Sequence, residues 1–205
     1  AFNQQQVGQL LIKWLKKHRI EPDRRIPQLK GLYFPVWTFD LMGVIPWSGT
    51  VYRNKKVVPV SGEENVNFND ILIPGVDRLA ELQSKFIPGF ETNNAPAYDA
   101  RYLSGWPAEV YQLPMSDASL EARKQAVERT RQRIYTARGN VNDLNYSTSN
   151  LSILSFKLVL IPIWYTTYSI DAQTYQVVIN GQTGLVNAEK PGRGVLGWLE
   201  NMLGE

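Results

Sequence analysis

The sequence contains no cysteine and a single histidine, His18, among its 205 residues. Without a thiol, these residues can form no disulfide bond and no thiolate-ligated zinc or iron–sulfur site. One imidazole also argues against histidine-centred metal sites and against catalytic triads that use an imidazole base. We therefore expect no metal site and no cofactor in this chain.

Motifs of familiar enzyme classes are missing as well. There is no G-x-x-x-x-G-K-[ST] phosphate loop, no G-x-S-x-G nucleophile elbow and no dinucleotide-binding fingerprint. The carboxylates are scattered, and no spacing forces two of them together on one element. The sequence therefore predicts a protein that has no catalytic residues and is not an enzyme.

Long apolar runs are also missing. The longest extends from Leu158 to Tyr165, far short of the roughly 20 residues that a membrane-spanning helix needs. We expect no transmembrane segment in this chain and a cytoplasmic location, with contact at a membrane surface as the alternative.

Large aromatic rings are abundant: the chain has 10 Tyr, 7 Phe and 6 Trp. Its hydrophobic share of 43% and charged share of 20% are typical of globular proteins. Aromatic side chains anchor protein cores and protein interfaces alike. Composition thus predicts a folded domain and leaves an interface role open.

Positive charge is concentrated near the N-terminus. Residues 1–30 carry seven basic and two acidic side chains, a surplus of five, whereas the whole chain has a net charge of +3. A basic cluster of this kind is typical of a surface that contacts phosphates or acidic proteins. The candidate contact residues are Lys13, Lys16, Lys17, Arg19, Arg24 and Arg25.

Both ends of the chain show helical periodicity. Segment 1–28 is predicted to be a helix and a short linker: its apolar residues from Val7 recur at the spacing of one helix face up to His18, and Pro22 and Pro27 end the helix. The apolar residues of segment 191–205 show the same spacing. Each amphipathic helix suits docking on a partner, contact with a membrane surface, or packing on the chain's own sheet. The candidate partner-docking residues are Trp14, Trp198, Leu199 and Met202.

A third helix is predicted over "SDASLEARKQAVERTRQRIYTARG". Ser116 and Asp117 are typical N-cap residues, and Gly139 is placed for a C-cap. The apolar stripe of this segment is thin, with Leu120 and Ile134 near its two ends. A thin stripe predicts a long helix that lies on the surface of the domain.

One unusual phrase occurs twice. "LYFPVWTFD" contains Pro35 and Trp37, and "LIPIWYTTY" contains Pro162 and Trp164, each 127 positions later. Because proline cannot donate to a strand ladder, it belongs at an edge or at a bulge where a strand bends. The repeat predicts two related β units over 29–62 and 156–187. Duplication for packing, a symmetric aromatic binding pair and chance resemblance are the three explanations.

Together these patterns predict an α+β fold. Segment 29–190 forms the core, with bent antiparallel sheets from two related β units covered by the long surface helix. Asn180-Gly181, between apolar β-forming residues, is the strongest hairpin signal in the chain. Amphipathic helices flank the core at both termini.

An ordered series of segments carries a resemblance to a known family. "LKGLYFPVWTFD", "VPVSGEENVNFNDILIP", "YDARYLSGWPAEVYQ", "ARKQAVERTRQRI" and "FKLVLIPIWYTTY" occur in this order. The series resembles bacterial zinc-ribbon-containing proteins labelled primosomal-helicase-like, over roughly residues 8 to 190. The resemblance implies a cysteine zinc ribbon ahead of the matched region. This chain lacks both that ribbon and any helicase motif.

These observations favour a non-catalytic function. We expect a binding or assembly module that docks on a protein partner or a larger complex through aromatic surfaces and terminal helices. The alternative is a nucleic-acid-associated protein that binds phosphates through the basic N-terminal helix.

Overall fold

The computed structural model describes residues 2–76, 89–92 and 95–191, which form a curled antiparallel sheet with helices packed against it. The α+β prediction is thereby confirmed. The predicted C-terminal helix over 191–205, with Trp198, Leu199 and Met202, lies outside the described residues except for Pro191. The elements are α1 (Gln4–Lys17), β1 (Lys30–Arg53), β2 (Lys56–Pro74), a 3₁₀ helix (Ala100–Leu103), α2 (Met115–Arg138), β3 (Asn142–Tyr146), β4 (Leu151–Ile170), β5 (Gln173–Asn180) and β6 (Val186–Ala188).

The six strands form one sheet, in which β2-β1-β4-β5-β6 are successive neighbours and β3 pairs with β1 off this path. Strand β1 pairs with β2 along one side, and its other side pairs first with β4 and then, near Trp47, with β3. Strand β4 pairs with β1 from Leu151 to Tyr165 and with β5 from Ile163 onward. The two longest strands are therefore direct neighbours at the centre of the sheet.

Helix α1 confirms the first predicted helix. Asn3 caps it, because its side chain accepts from the backbone N–H of Gln6 while the Gln6 side chain accepts from the backbone N–H of Asn3. Lys16 and Lys17 lie in the last turn, where positive charge suits the helix dipole. The buried face of the helix packs on Trp164, Tyr168, Val177 and Ile179.

Helix α2 confirms the long surface helix but corrects two details. It begins at Met115 after Pro114 with no side-chain cap, so the predicted capping by Ser116 and Asp117 is wrong. Its buried face consists mainly of small residues four positions apart, whereas Leu120 is 58% exposed. Small side chains allow the helix backbone to lie close to β1 and β2. The buried residues are Ala118, Ala122, Ala126, Thr130 and Ile134.

Within the described ranges, no helix combines the length and the apolar character that a bilayer crossing requires. Helix α2 is long enough, but it carries far more charged side chains than such a crossing allows. Gly139 ends it in the left-handed region, at φ 78°, and donates its backbone N–H to Tyr135 O as predicted for a C-cap.

Strand β1 bends without a break. Its pairing with both neighbours shifts at Asp40, which marks a β-bulge. The carboxylate of Asp40 accepts from the backbone N–H of Asp70 at 2.9 Å and from the hydroxyl of Ser155. First the Ser155 hydroxyl and then the Asp70 amide hold the pKa of Asp40 below its usual value. The Asp40 side chain at the bulge therefore forms hydrogen bonds with both neighbouring strands, β2 and β4.

The hairpin predicted at Asn180-Gly181 forms between β5 and β6, with a longer turn than the two-residue type. Asn180 Oδ1 accepts from the backbone N–H groups of Gln182 and Thr183. Gly184, at φ 74°, takes the left-handed conformation and donates to Asn180 O at 2.8 Å.

Candidate functional site

The two repeated prolines occupy matching positions in the sheet. Pro35 O accepts from the backbone N–H of Gly75 at 2.8 Å, immediately after β2 ends at Pro74. Pro162 O accepts from Gly181 N–H at 2.9 Å, immediately after β5 ends at Asn180. Each proline thus lies where the neighbouring strand stops, so its missing N–H removes no bond from a regular ladder.

The two repeated tryptophans are core residues. Trp37 is 8% exposed and donates its Nε1–H to Leu113 O at 2.9 Å, and Trp164 is 6% exposed and donates to Phe2 O at 3.1 Å. Each indole N–H is thereby satisfied by a segment that crosses the sheet. The burial of both rings favours packing as the explanation of the repeat over a symmetric aromatic binding pair.

A short extended segment covers one edge of β1. Tyr33 donates its backbone N–H to Pro107 O at 2.9 Å, and Tyr33 O accepts from Glu109 N–H at 3.0 Å. These bonds pair Ala108 with Tyr33 in a parallel bridge. The Trp106 ring then lies over Gly31 and meets the Trp164 ring edge-on, with centroids 4.7 Å apart. The chain itself therefore fills this edge.

The corresponding edge of β4 is open. Strand β5 ends opposite Ile163, and no strand in the part of the chain that the structure describes pairs with the outer edge of β4 from Leu151 to Ile161. Alternate residues of a strand direct their backbone groups to the same side. Because Pro162 O faces Gly181, the N–H and C=O groups of Leu158 and Leu160 point outward from this open edge.

Apolar side chains accompany the open edge. Leu154 is 58% exposed, Phe156 51% and Leu158 37%, although a strand at the centre of a sheet usually buries such residues. Sequence reasoning missed them because "SILSFKLVL" reads as a buried strand. The alternation of Ser and Lys with Leu and Phe was a signal, but it does not tell which side lacks a neighbour.

A groove of about 870 Å³ lies beside this edge. It is lined by Leu158, Leu160 and Pro162 of β4, by Tyr33 of β1, and by Tyr98 and Tyr102. The volume is within the range of ligand pockets, roughly 300–1,000 Å³. Its lining is mainly aromatic and aliphatic, and it adjoins unpaired backbone groups, so the groove can bind a chain of alternating apolar side chains.

One charge lies near each end of the groove. Lys157, on β4, is exposed and takes part in no ion pair among the described residues. Glu91, also exposed, lies beside the turn after β5, because its backbone N–H donates to Gln182 Oε1 at 3.1 Å. Since Gly181 bonds to Pro162, Glu91 marks the Pro162 end and Lys157 the opposite end.

The predicted basic cluster is exposed, and none of its members lines the groove. Within the described ranges none of its members forms an ion pair. Three of them lie on α1 and three in the segment that follows it: Lys13, Lys16, Lys17, Arg19, Arg24 and Arg25.

Trp14, predicted to dock on a partner, is half-buried against its own chain. It stacks on His18 with ring centroids 4.3 Å apart, and the Lys190 ammonium lies 6.0 Å from its centroid. The other three predicted docking residues, Trp198, Leu199 and Met202, fall outside the described part of the chain. Among the residues that are described, no three His, Asp or Glu side chains form a group that could hold a metal ion.

No family model matches this chain, and no solved structure matches it. The chain is similar to the uncharacterized protein YdjG of Bacillus subtilis strain 168, with 25% identity over 229 aligned positions. That alignment includes 100% of this chain and 66% of YdjG, so the chain spans somewhat less than two thirds of that relative's length.

Proposed function

We propose that this protein is a non-catalytic binding module that docks on a protein partner through the open edge of β4. The observation that carries the proposal is the coincidence of exposed Leu154, Phe156 and Leu158 with unpaired backbone on the same strand. Exposed apolar patches and unpaired strand edges are both typical of protein interfaces. Here the two features coincide beside a groove.

The energetics favour an interface at this edge. Burial of apolar surface stabilises a complex by about 25 cal/mol per Å². Burial of Phe156 and Leu158 by a partner therefore contributes about 1–3 kcal/mol for each side chain. Protein edge strands are commonly protected by charges or prolines. Between Leu151 and Ile161 the only charged side chain is Lys157, and there is no proline.

A paired substitution tests the proposal. Phe156→Ser with Leu158→Ser should abolish recovery of proteins that co-purify with the wild-type chain from native lysate treated with nuclease. The matched control is Tyr52→Ser with Val57→Ser, because these side chains, 68% and 66% exposed, lie at the tip of the β1–β2 hairpin. The control should retain every partner. Equal recovery by both folded variants would contradict docking at β4.

A second candidate is association with nucleic acid through the basic cluster of α1 and the following segment. The supporting observation is that its six cations are solvent-exposed. Each phosphate contact releases counterions and makes affinity depend on salt. Lys13→Glu, Lys16→Glu and Lys17→Glu together should abolish DNA retention, while the Phe156 and Leu158 variant retains it. If the triple variant binds DNA as the wild type does, this candidate is wrong.

We also propose that the sheet consists of two related β units, 29–62 and 156–187. Two matched features support this: the bonds of Pro35 to Gly75 and of Pro162 to Gly181, and the indole donors Trp37 and Trp164. We also propose that this chain is related to the zinc-ribbon-containing proteins that its series of segments resembles. The cytoplasmic location, with a membrane-surface contact as the alternative, stays a prediction.

A further inference from the structure

We infer that the open edge of β4 receives an extended segment of the partner protein as an added strand that runs parallel to β4. This inference rests on the proposed docking function and specifies its geometry. Addition of a strand to an exposed edge obtains affinity from backbone hydrogen bonds and specificity from alternate side chains. The groove beside Leu158 and Leu160 supplies both kinds of contact.

The chain itself contains the template for this arrangement. The offset of 127 positions that relates Pro35 to Pro162 also relates Tyr33 to Leu160. Tyr33 exchanges two backbone hydrogen bonds with Pro107 and Glu109, in a parallel bridge. Leu160 directs the equivalent N–H and C=O to the open edge. A parallel extended segment there would make the same pair of bonds that Tyr33 makes.

The template also specifies a side chain. Trp106 precedes the bridged Ala108 by two residues, and its ring lies against Gly31. The position equivalent to Gly31 is Leu158, whose side chain is exposed in the groove together with Tyr98 and Tyr102. The added segment therefore carries a large apolar residue two positions before the residue that faces Leu160.

Charge complementarity determines the polarity of the segment. A parallel segment passes Lys157 first and Glu91 last, because β4 runs from Lys157 towards Pro162. The Asp40 carboxylate near Lys157 is already bonded to Ser155 and Asp70. We therefore expect an acidic residue near the N-terminal end of the segment and a basic residue near its C-terminal end.

A second copy of this chain fits the edge less well. Two copies related by a twofold axis would pair their β4 edges antiparallel, which brings the two Lys157 side chains close together. Tyr98 and Tyr102 line the same groove as Leu158 and Leu160, so whatever pairs with this edge must also fit beside the loop that carries them. A single extended segment satisfies both constraints.

Selection from a linear dodecapeptide phage library, with the full chain as bait, tests the inference. Enriched sequences should show an acid, then a large apolar residue, then a base. The best peptide is synthesised with backbone N-methyl groups on one alternating set of residues or on the other. Methylation of the set that faces Leu160 should weaken binding at least tenfold in fluorescence polarisation, while methylation of the other set should change it less than threefold.

Variants of the protein give the reciprocal test. Leu160→Pro removes the outward N–H, as Pro162 does two residues later, and should weaken peptide binding at least tenfold. Lys157→Glu should weaken binding of the acidic peptide about threefold to tenfold. It should strengthen binding of a peptide in which the acid is replaced by lysine. Lys56→Glu, at the distant hairpin tip, should leave both affinities unchanged. Near-ultraviolet circular dichroism identical to that of the wild type establishes the fold of each variant.

The outcomes separate this inference from the proposed function. Strand addition is overturned, while docking holds, if the Phe156 and Leu158 variant loses the partner but N-methylation of neither set weakens peptide binding, or no peptide is enriched. If light scattering shows that the wild type is a dimer that Leu160→Pro dissociates, a second copy occupies the edge and the inference is also overturned. If the Phe156 and Leu158 variant keeps every partner, the docking function itself fails.

Discussion

The β1–β2 and β4–β5 hairpins end in the same way, but the edge of β1 is covered by another segment of the chain and the edge of β4 is not. In both, a proline carbonyl bonds to a glycine N–H just past the end of the neighbouring strand. In both, a tryptophan two residues later is buried and bonds to a crossing segment. The edge of β1 at Tyr33 is filled by residues 107–109, whereas the edge of β4 at Leu160 is open.

This difference supports the proposed docking site. Features that the two hairpins share explain stability, because each closes a ladder or satisfies a buried donor. The feature that they do not share is an unsatisfied edge with apolar side chains, which stability does not require. The open edge of β4 is the candidate site, and the filled edge of β1 in the same sheet serves as its internal control.

The largest expected effect comes from the shared core. Trp37→Ala and Trp164→Ala should each lower the free energy of unfolding by about 3–5 kcal/mol, because each removes a buried ring and leaves a cavity. Urea denaturation followed by circular dichroism measures both changes. Trp→Phe at the same sites is the matched control, expected to cost less since a ring remains and chiefly the indole hydrogen bond is lost.

Unequal effects of Trp37→Ala and Trp164→Ala would also be informative. If Trp164→Ala costs less than about 1 kcal/mol while Trp37→Ala has the expected effect, the second ring does not anchor its hairpin. The two hairpins would then be alike in hydrogen bonding but not in packing, which counts against a common origin for the two units.

A smaller effect is expected at the paired glycines. A Cβ on Gly75 would lie 2.9 Å from Pro35 O, and one on Gly181 would lie 2.7 Å from Pro162 O. Both contacts involve backbone, which cannot rotate away. Gly75→Ala and Gly181→Ala should therefore each destabilise the fold by about 1–3 kcal/mol in thermal denaturation.

Gly105→Ala serves as a spatial control, since nothing lies within 4 Å of its Cβ position, although its φ of +94° adds backbone strain. Gly8→Ala in α1 is the cleaner control, because the nearest atom is a flexible Leu29 methyl group at 3.9 Å. It should stabilise or leave the protein unchanged. A neutral Gly181→Ala would show that the Pro162 ladder end is not tightly packed.

Local patterns in the sequence predicted much of the fold. Helix α1, helix α2 and the β5–β6 hairpin follow from periodicity and from cap and turn residues near the element itself. The continuous β1 did not, because Gly43 looks like a strand break. In the sheet Gly43 has a φ of 157°, which residues with side chains rarely adopt, and Asn150 O takes the space that a side chain would need.

The candidate site could not be predicted, since it depends on which strands are neighbours. "SILSFKLVL" contains no information that β5 stops opposite Ile163 and leaves the preceding residues unpaired. The buried face of α2 was missed for a related reason: alanines gain their burial from close approach to the sheet, which apolar periodicity does not register. Both the open edge of β4 and the buried face of α2 depend on which elements pack together in the fold, and local sequence does not specify this.

Amide hydrogen exchange should distinguish the two edges directly. The Tyr33 N–H bonds to Pro107 O, whereas the Leu160 N–H points outward from the open edge. We expect Leu160 to exchange about tenfold faster than Tyr33 or more, after correction for intrinsic rates, as measured by NMR at neutral pH. Slow exchange at both amides would mean that something already bonds to Leu160, and the comparison of a filled with an open edge would be wrong.

The smallest effect concerns charge at the β1 bulge. The pKa of Asp40 is lowered by the Ser155 hydroxyl and the Asp70 amide, so the folded state holds this carboxylate deprotonated more strongly than the unfolded state does. Its stabilisation is therefore present above the unfolded pKa, about 3.9, and is lost as the pH falls through the lower folded pKa. Asp40→Asn should cost about 1 kcal/mol at pH 7 in urea denaturation.

That cost should shrink as the pH approaches 2, because wild-type Asp40 then becomes protonated and resembles the amide. The control is Asp99→Asn: the pKa of Asp99 is also lowered, by the Arg101 side chain, but this pair lies at the surface and is screened by salt. The Asp99 variant should show little change in stability at any pH. A cost of Asp40→Asn that is constant from pH 7 to pH 2 would show that the bulge is held by shape, and that the charge of Asp40 does not distinguish the β1–β2 hairpin from the β4–β5 hairpin.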